Sequence, residues 1–478
     1  MMKKSIYNGT LDFVVLQQLA AAEQKRKRSE RGVMFSLHKT LGGVHPPQCK
    51  DTRDCPCTWI EPPSKVRIPL NMHIGAPCTP CVEVGDHVYI GTLIGTGEGL
   101  YAPIHASVSG TVTSVATEKL PTGATAPVVE ITSDGKMEND PALEVPTYST
   151  KDEFIACVRN SGVVGLGGAS FPTWFKMQAP AGKKFEFVVV NAMECEPYIT
   201  SDYRQMIEHA ERVIDGVVRI SRALEIPAVV IGVEDNKPEA VESLNKAIAE
   251  KGVSDLVEVL MVPTKYPAGG EKVLIEATTG RAVPAGGLPI DAGCLVLNVT
   301  TVSRVEEYFR YGVPLVRRTI TLAGDCVANP GNYRVPLGMS VRDVIEATGG
   351  LVKDPKKIIM GGPMMGRTIT NIDCPILKAN NAILCLDKEA ELPEESPCIR
   401  CGRCVRVCPL GLMPYALDAA SRRHDAVELD ELAVMNCMEC GSCAFTCPAH
   451  RRITASIREG KAVYRGEVAR LTQPAKEA

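Results

Sequence analysis

Aromatic residues make up only 5% of this 478-residue sequence, with two tryptophans among them, which argues against a stacking platform for single-stranded nucleic acid. Charge of one sign is missing too. Its 53 basic and 56 acidic side chains leave a net charge of −3, so no overall basic field points to nucleic acid or an acidic membrane surface. No apolar run approaches the roughly 20 residues that cross a bilayer. The longest, near Phe13 to Ala22, is interrupted by glutamines. Nor does any apolar stretch lead into a small-residue cleavage site of the secretory kind. The expectation is a soluble, cytoplasmic chain with no span of its own and no nucleic-acid partner.

What is abundant is cysteine. There are 19, eight of them between Cys398 and Cys447 and five between Cys49 and Cys81. Without a secretory signal, metal or redox chemistry is a stronger reading than a disulfide framework. The 41 glycines and 34 prolines exceed the usual share and point to many turns and close backbone approaches.

The length allows about three domains, and the pattern along the chain divides it more finely. Residues 1–33 hold a short helical stretch, LDFVVLQQLAAAEQ, and the basic run KRKRSER, and read as a disordered leader. Residues 34–145 alternate in short segments (KVRIPL, HVYIGTLIG, ASVSGTVTSVAT, APVVEITS) punctuated by glycine, as a small β-barrel or sandwich does. They resemble the barrel-sandwich hybrid of biotinyl and lipoyl carriers, but the tip near Tyr101 to Ala106 has no lysine to carry a swinging arm. Residues 150–310 turn to an α/β pattern. KFEFVVVNA and IPAVVIGVE are continuous apolar runs of the buried-strand kind, with helical spacing between them, so a Rossmann-like layered domain is expected. Residues 315–390 suggest a β-grasp module. An acidic linker leads into residues 391–455, expected to form a helical domain around the cysteines, and 456–478 read as a polar tail.

The strongest motif is a repeat. Cys398-x2-Cys401-x2-Cys404-x3-Cys408-Pro409 recurs as Cys437-x2-Cys440-x2-Cys443-x3-Cys447-Pro448. In two-cluster ferredoxin-type modules the last cysteine of each run ligates the other cluster. Cys398, Cys401, Cys404 and Cys447 are therefore assigned to one [4Fe–4S] centre, and Cys437, Cys440, Cys443 and Cys408 to a second. Zinc knuckles are the rival, disfavoured because neither run contains histidine and each ends in Cys-Pro.

A glycine-rich loop, GVVGLGGASFPTWFK, spans 162–176. Ser170 breaks the strict G-x-G-x-x-G form, so on the residues alone it is either a tight strand-to-helix turn or a phosphate cradle with Lys176 adding charge. Three further segments follow: NAMECEPYITSDYR (191–204), KYPAGGEK (265–272) and NVTTV (298–302). Their order resembles the flavin- and NADH-binding subunit of respiratory complex I. With KTLGGVHPP (39–47), HIGAP (73–77), APIHASVSGTV (102–112), PGNYRVP and the paired cysteine runs added, the chain resembles more closely the C subunit of the Rnf-type electron transport complex, the ion-translocating ferredoxin:NAD+ oxidoreductase. The resemblance covers residues 34–455.

The resemblance implies FMN and NAD(H) held against Gly165, Gly167, Gly168 and Lys176, with Asn191, Glu194, Glu196, Tyr198, Asp202 and the Gly269–Gly270–Glu271 turn lining the same pocket and Asn298 near the flavin. Ser170 stands where the family usually has glycine. It further implies two [4Fe–4S] clusters, a ferredoxin or ferredoxin-like partner, other subunits of a membrane complex, and a peripheral place on the cytoplasmic face of the cell inner membrane. Two rival functions share these modules: a soluble donor to another acceptor such as a corrin or substrate reductase, and a cluster-bearing relay or scaffold without NADH activity. Cys49, Cys55, Cys57, Cys78 and Cys81 depart from the family pattern. Four of them are expected to hold an additional zinc or iron–sulfur centre, against a redox dithiol or unpaired bystanders.

Overall fold

The computed structural model describes residues 35–120, 123–388 and 393–472. The leader, residues 121–122, residues 389–392 of the acidic linker and the last six residues lie outside the described residues.

The alternating segments build two small sheets face to face. One runs in the order Lys65–Pro69, Thr125–Ser133, Gly110–Lys119, His87–Val88, all antiparallel; the other joins Thr79–Pro80, Leu93–Thr96 and Ile104–His105. Because side chains alternate across a strand, Val66 and Ile68 turn inward together with Val129 and Ile131, where Ile94 and Ile104 meet them, all fully buried.

The next unit is a four-stranded parallel sheet, ordered Val257–Val262, Ala228–Glu234, Phe187–Ala192, Cys294–Asn298. Every residue of Ala228–Glu234 is buried, as expected of a strand covered by helices on both faces. The helices Ala210–Ala223 and Val299–Tyr311 approach so closely that a Cβ on Gly216 would lie 2.5 Å from the Val302 carbonyl oxygen. Behind this unit stands a six-stranded mixed sheet around the helix Val341–Ala347, whose Ser340 cap accepts from the Asp343 amide at 3.0 Å.

Two features depart from the expected organisation. Residues 35–60 add no strand to the two barrel sheets. They run as a strap: the His38 amide bonds the Ala277 carbonyl, Val44 bridges Tyr266, and Cys57–Trp59 adds a parallel edge strand to the six-stranded sheet beside Asn332–Arg334. A three-residue strand carries too little pattern to be seen in sequence. The polar tail is also no tail as far as Thr472. Helix Ile453–Thr472 buries Ile453 and Ile457 among Leu417, Ala420 and Leu429 of the cysteine-bearing domain. Its many charged residues hid a narrow apolar stripe.

Two buried cations fasten the six-stranded unit to its neighbours. Lys378 donates to the Pro103 and Gly162 carbonyls, both at 2.7 Å, joining all three β-containing units at one atom. Burial pushes its ammonium down to about 7. Arg318 reaches the Leu166 carbonyl at 3.0 Å and the Asn380 carbonyl at 2.9 Å. Both therefore anchor the backbone at the root of the glycine loop.

Candidate cofactor and cluster sites

The glycine loop leaves helix Lys151–Asn160 and closes on itself, with the Gly165 amide donating to Phe171 and the Ser170 amide to Gly165. Between these closures the amides of Gly167, Gly168 and Ala169 donate to no acceptor among the described residues. A Cβ on Gly168, at φ +115°, would meet nothing within 4 Å. Ser170 adopts φ +52°, a conformation natural to glycine, and its buried Oγ has no partner. Free consecutive amides, open space and an orphaned hydroxyl make a cradle for an anionic group such as the phosphate of FMN. The residues present fit it.

The expected pocket residues fall into two sets. Asn298 packs against Gly167, caps helix Val299–Tyr311 by accepting from the Thr300 and Thr301 amides, and donates to Asp202 at 2.6 Å. Asp202 also accepts from Thr300 Oγ1. Asn191 donates to the Gly269 carbonyl at 2.7 Å, and Lys176 pairs with Glu271 at 2.8 Å. These side chains ring the end of the parallel sheet.

Glu194 works one step behind them. Its carboxylate accepts from the Asp202 amide at 2.6 Å and the Tyr203 amide at 3.2 Å, capping helix Ser201–Glu208. Burial pushes it up to about 8, against the pull of Lys50.

Glu196 and Tyr198 contact the six-stranded unit. The Glu196 carboxylate accepts from the Met364 and Met365 amides of the six-stranded unit, at 3.1 and 2.8 Å, and burial raises it to about 7. Tyr198 packs beside Ile199 against that same sheet. Their segment contains two left-handed residues, Glu194 and Tyr198. Gly270 caps helix Glu271–Thr279, and a Cβ on it would meet Met438 of the cysteine domain at 2.1 Å.

Sequence reasoning missed the residues that hold these loops. Lys50 donates to the carbonyls of Glu194, Glu196 and Ile199 at 2.8, 2.9 and 2.7 Å. Thr301 accepts from the Leu166 amide at 2.9 Å. Tyr266 donates to the Cys440 carbonyl at 2.6 Å. Only the place of Lys50, directly after the HPPQC segment, offered a signal.

The eight paired cysteines line two cavities. Cys398, Cys401, Cys404 and Cys447 face one; Cys408, Cys437, Cys440 and Cys443 face the other. Among the described residues no three His, Cys, Asp or Glu side chains converge tightly enough for a single ion. A cubane, being larger, holds its four thiolates wider apart, so an all-sulfur donor set around a cavity fits [4Fe–4S] better than zinc. Amides also aim at the sulfurs, Leu412 at Cys408 and Glu439 at Cys437, at 3.3 and 3.4 Å.

The two cavities differ in setting. The second lies against the flavin-type domain: Tyr266 bonds Cys440, Met438 meets Gly270, and the Gly43 amide donates to Val407 at 2.8 Å. We call it the inner set. The outer set has Cys398 and Cys401 exposed. Tyr266→Phe keeps the ring but orphans the Cys440 carbonyl; a loss of about 1–2 kcal/mol in unfolding free energy is expected from denaturant melts. An unchanged midpoint would mean that the bond holds nothing together.

The five N-terminal cysteines are not brought together. Cys78 is buried in the barrel, its Sγ 3.3 Å from His73 Nε2, and Cys81 is exposed beside it. Cys57 lies on the edge strand of the six-stranded sheet, where Glu208 accepts from its amide. The strap carries Cys49, Cys55 and Cys57, outside the barrel sheets, and among the described residues no three ligands there converge on a single ion. Cys195 packs against Gly269, and burial pushes its thiol up to about 12, which leaves it unreactive.

Comparison with known proteins gives four family matches in chain order: the RnfC barrel sandwich hybrid domain over residues 38–136, the Nuo51 FMN-binding domain over 158–307, the SLBB domain over 319–368 and the 4Fe-4S dicluster domain over 391–461. The C subunit of the Na(+)-translocating ferredoxin:NAD(+) oxidoreductase complex of Acetobacterium woodii is 43% identical over 88% of this chain and 96% of its own. The proton-translocating counterpart of Clostridium ljungdahlii is 40% identical over 81% and 85%. The C subunit of the ion-translocating oxidoreductase complex of Rhodobacter capsulatus is 40% identical over 80% and 75%.

Proposed function

We infer the working of this chain from one premise: it belongs to the family of C subunits of Rnf-type ion-translocating ferredoxin:NAD(+) oxidoreductase complexes. It is an electron-transfer subunit with an FMN-binding domain and a 4Fe–4S dicluster domain, part of a complex that couples this transfer to ion movement. Among the described residues no helix is long and apolar enough to cross a membrane, in keeping with a peripheral subunit. Its place is the cytoplasmic face, where NAD(H) and a ferredoxin-side partner are at hand.

In this reading the amides of Gly167, Gly168 and Ala169 take the flavin phosphate, with Ser170 Oγ beside them. Asn191, Asn298 and Asp202 orient the polar edge of the ring, and Lys176 and Glu271 close the entrance taken by NAD(H). When bound, FMN supplies the exchange between two-electron hydride chemistry and single-electron transfer. Hydride transfer needs no general acid from the protein, so these residues act by holding and orienting. Cys408, Cys437, Cys440 and Cys443 hold the inner cluster, and Cys398, Cys401, Cys404 and Cys447 the outer.

The observation that carries this reading is the docking of the inner cysteine set on the Tyr266–Gly270 turn of the flavin-type domain. Anaerobically purified protein is expected to contain about eight irons per chain and to bind FMN, and NADH should bleach both chromophores. Full iron with no flavin uptake and no response to NADH would leave only a cluster relay.

A further inference from the structure

Two arginines are buried among the described residues, and they are housed differently. Arg304 lies against the Glu307 carboxylate at 2.5 Å, the arrangement a buried cation needs. Arg318 is 2% exposed and makes no ion pair with any described residue. It stands second on strand Arg317–Ala323, where successive side chains alternate. Arg317 goes one way, to Glu307 at 2.8 Å, and Arg318 the other, to the Leu166 and Asn380 carbonyls. Its remaining nitrogen, Nη1, is buried without a partner. The acid whose field reaches it, Asp202, is already engaged by Asn298 and Thr300. Burial pushes the guanidinium down to about 10, so it is still charged at neutral pH. A buried charge with no opposite charge in contact is destabilising and asks for an anion.

The peptide that Arg318 holds shows where that anion belongs. Leu166 lies buried between Gly165 and Gly167 of the glycine loop. Its amide donates to Thr301 Oγ1 at 2.9 Å, and its carbonyl accepts from Arg318 Nη2 at 3.0 Å. The peptide joining it to Gly167 is trans and planar, so the Gly167 N–H points opposite to the Leu166 C=O. With the carbonyl turned to Arg318, that N–H faces away from the arginine. It is the first of the three consecutive amides that lack an acceptor among the described residues. A cation at the carbonyl end also polarises the peptide and strengthens its N–H as a donor.

We propose that Arg318 is a positioning residue of the flavin site: by holding the Leu166 carbonyl it aims and polarises the Gly167 N–H, and the anionic group received in the cradle is the counter-charge that the arginine lacks. This rests on the reading of the cradle as the seat of the FMN phosphate. A purely mechanical tie needs no charge. In the same six-stranded unit the neutral Asn332 ties the Thr52 and Cys55 carbonyls at 2.9 and 3.2 Å. Lys378 also bonds two carbonyls, but burial brings it to about 7, where it can shed its proton. An arginine keeps its charge. Arg318 is 152 residues from Leu166, so the six-stranded unit shares in recognising the charge of a ligand bound by its neighbour.

The test titrates the full chain, freed of flavin, with FMN and with riboflavin, which has the same ring and no phosphate, and reads the quenching of flavin fluorescence. Wild type is expected to bind FMN the more tightly. Arg318→Met should weaken FMN binding about tenfold or more and leave riboflavin binding as it was, so that the preference shrinks. Arg318→Lys keeps the charge and should retain part of the preference. If the methionine variant does not fold, Arg318→Gln, which is also neutral, serves in its place with the same expectation. Equal weakening of FMN and riboflavin would mark a mechanical tie only and overturn the proposal, as would undiminished FMN affinity. A lysine variant no better than the neutral ones would overturn the part given to charge. A wild type with no preference for FMN over riboflavin would instead strike the phosphate reading of the cradle, and the proposal with it.

Discussion

Cys437→Ser is expected to give a protein that still takes up FMN and keeps about four irons, in which NADH bleaches the flavin while the remaining cluster stays oxidised. Cys398→Ser should also lose about half its iron, yet its surviving cluster should be reduced by NADH. The asymmetry follows from where the two cavities sit. The inner set is fastened to the flavin-type domain through Tyr266, Met438 and Gly43, whereas the outer set is reached through the dicluster fold and opens to solvent. The cysteine that completes each set comes from the other run, so Cys408 and Cys447 variants are expected to disturb both sets through the shared backbone. Anaerobic iron assay and visible spectra before and after NADH read the result. If the Cys437 variant passed electrons to the outer cluster at wild-type rate, the inner position would not be an obligatory relay.

Much of this arrangement could be read before any coordinates. The repeated spacing already paired Cys447 with the first run, because in two-cluster ferredoxin-type modules the last cysteine of each run ligates the other cluster. Buried parallel strands announced themselves as unbroken apolar runs, and the barrel as alternation. What escaped were interactions set by distance in space. Lys50 is 144 residues from Glu194, and Tyr266 is 174 from Cys440. Local pattern shows neither contact, although Lys50 follows the HPPQC segment and Tyr266 lies in KYPAGGEK. The path of the strap escaped for the same reason: with few periodic residues, it is decided by the domains it ties together. The contacts of Glu196 and Tyr198 with the six-stranded unit were likewise out of reach of the sequence, since the positive φ of Glu194 and Tyr198 is invisible in composition. The N-terminal cysteines are divided between strap and barrel, a separation that closeness in sequence does not reveal.

Lys50→Met is expected to lower FMN affinity by about a hundredfold, equivalent to about 2.7 kcal/mol, while the protein remains folded. The ammonium closes the Glu194–Ile199 loop by three short bonds to carbonyls, and charge-assisted bonds of this kind are worth about 1.5–3 kcal/mol each. Glu194 and Tyr198 sit in a conformation disfavoured for side-chain-bearing residues, so the loop does not hold its shape unaided. From there the disturbance runs to the cradle. Glu194 caps the helix that carries Asp202, Asp202 holds Asn298, and Asn298 packs against Gly167. Losing Lys50 also removes a positive charge that pulls the Glu194 carboxyl down against burial, so its proton is held more tightly and it caps the helix less well. The parallel sheet has its own core and should survive. Flavin fluorescence titration of the apo-protein, beside a thermal melt, separates the two effects. Undiminished affinity in the Lys50 variant would show that the loop behind Asp202 does not position the residues that hold the flavin.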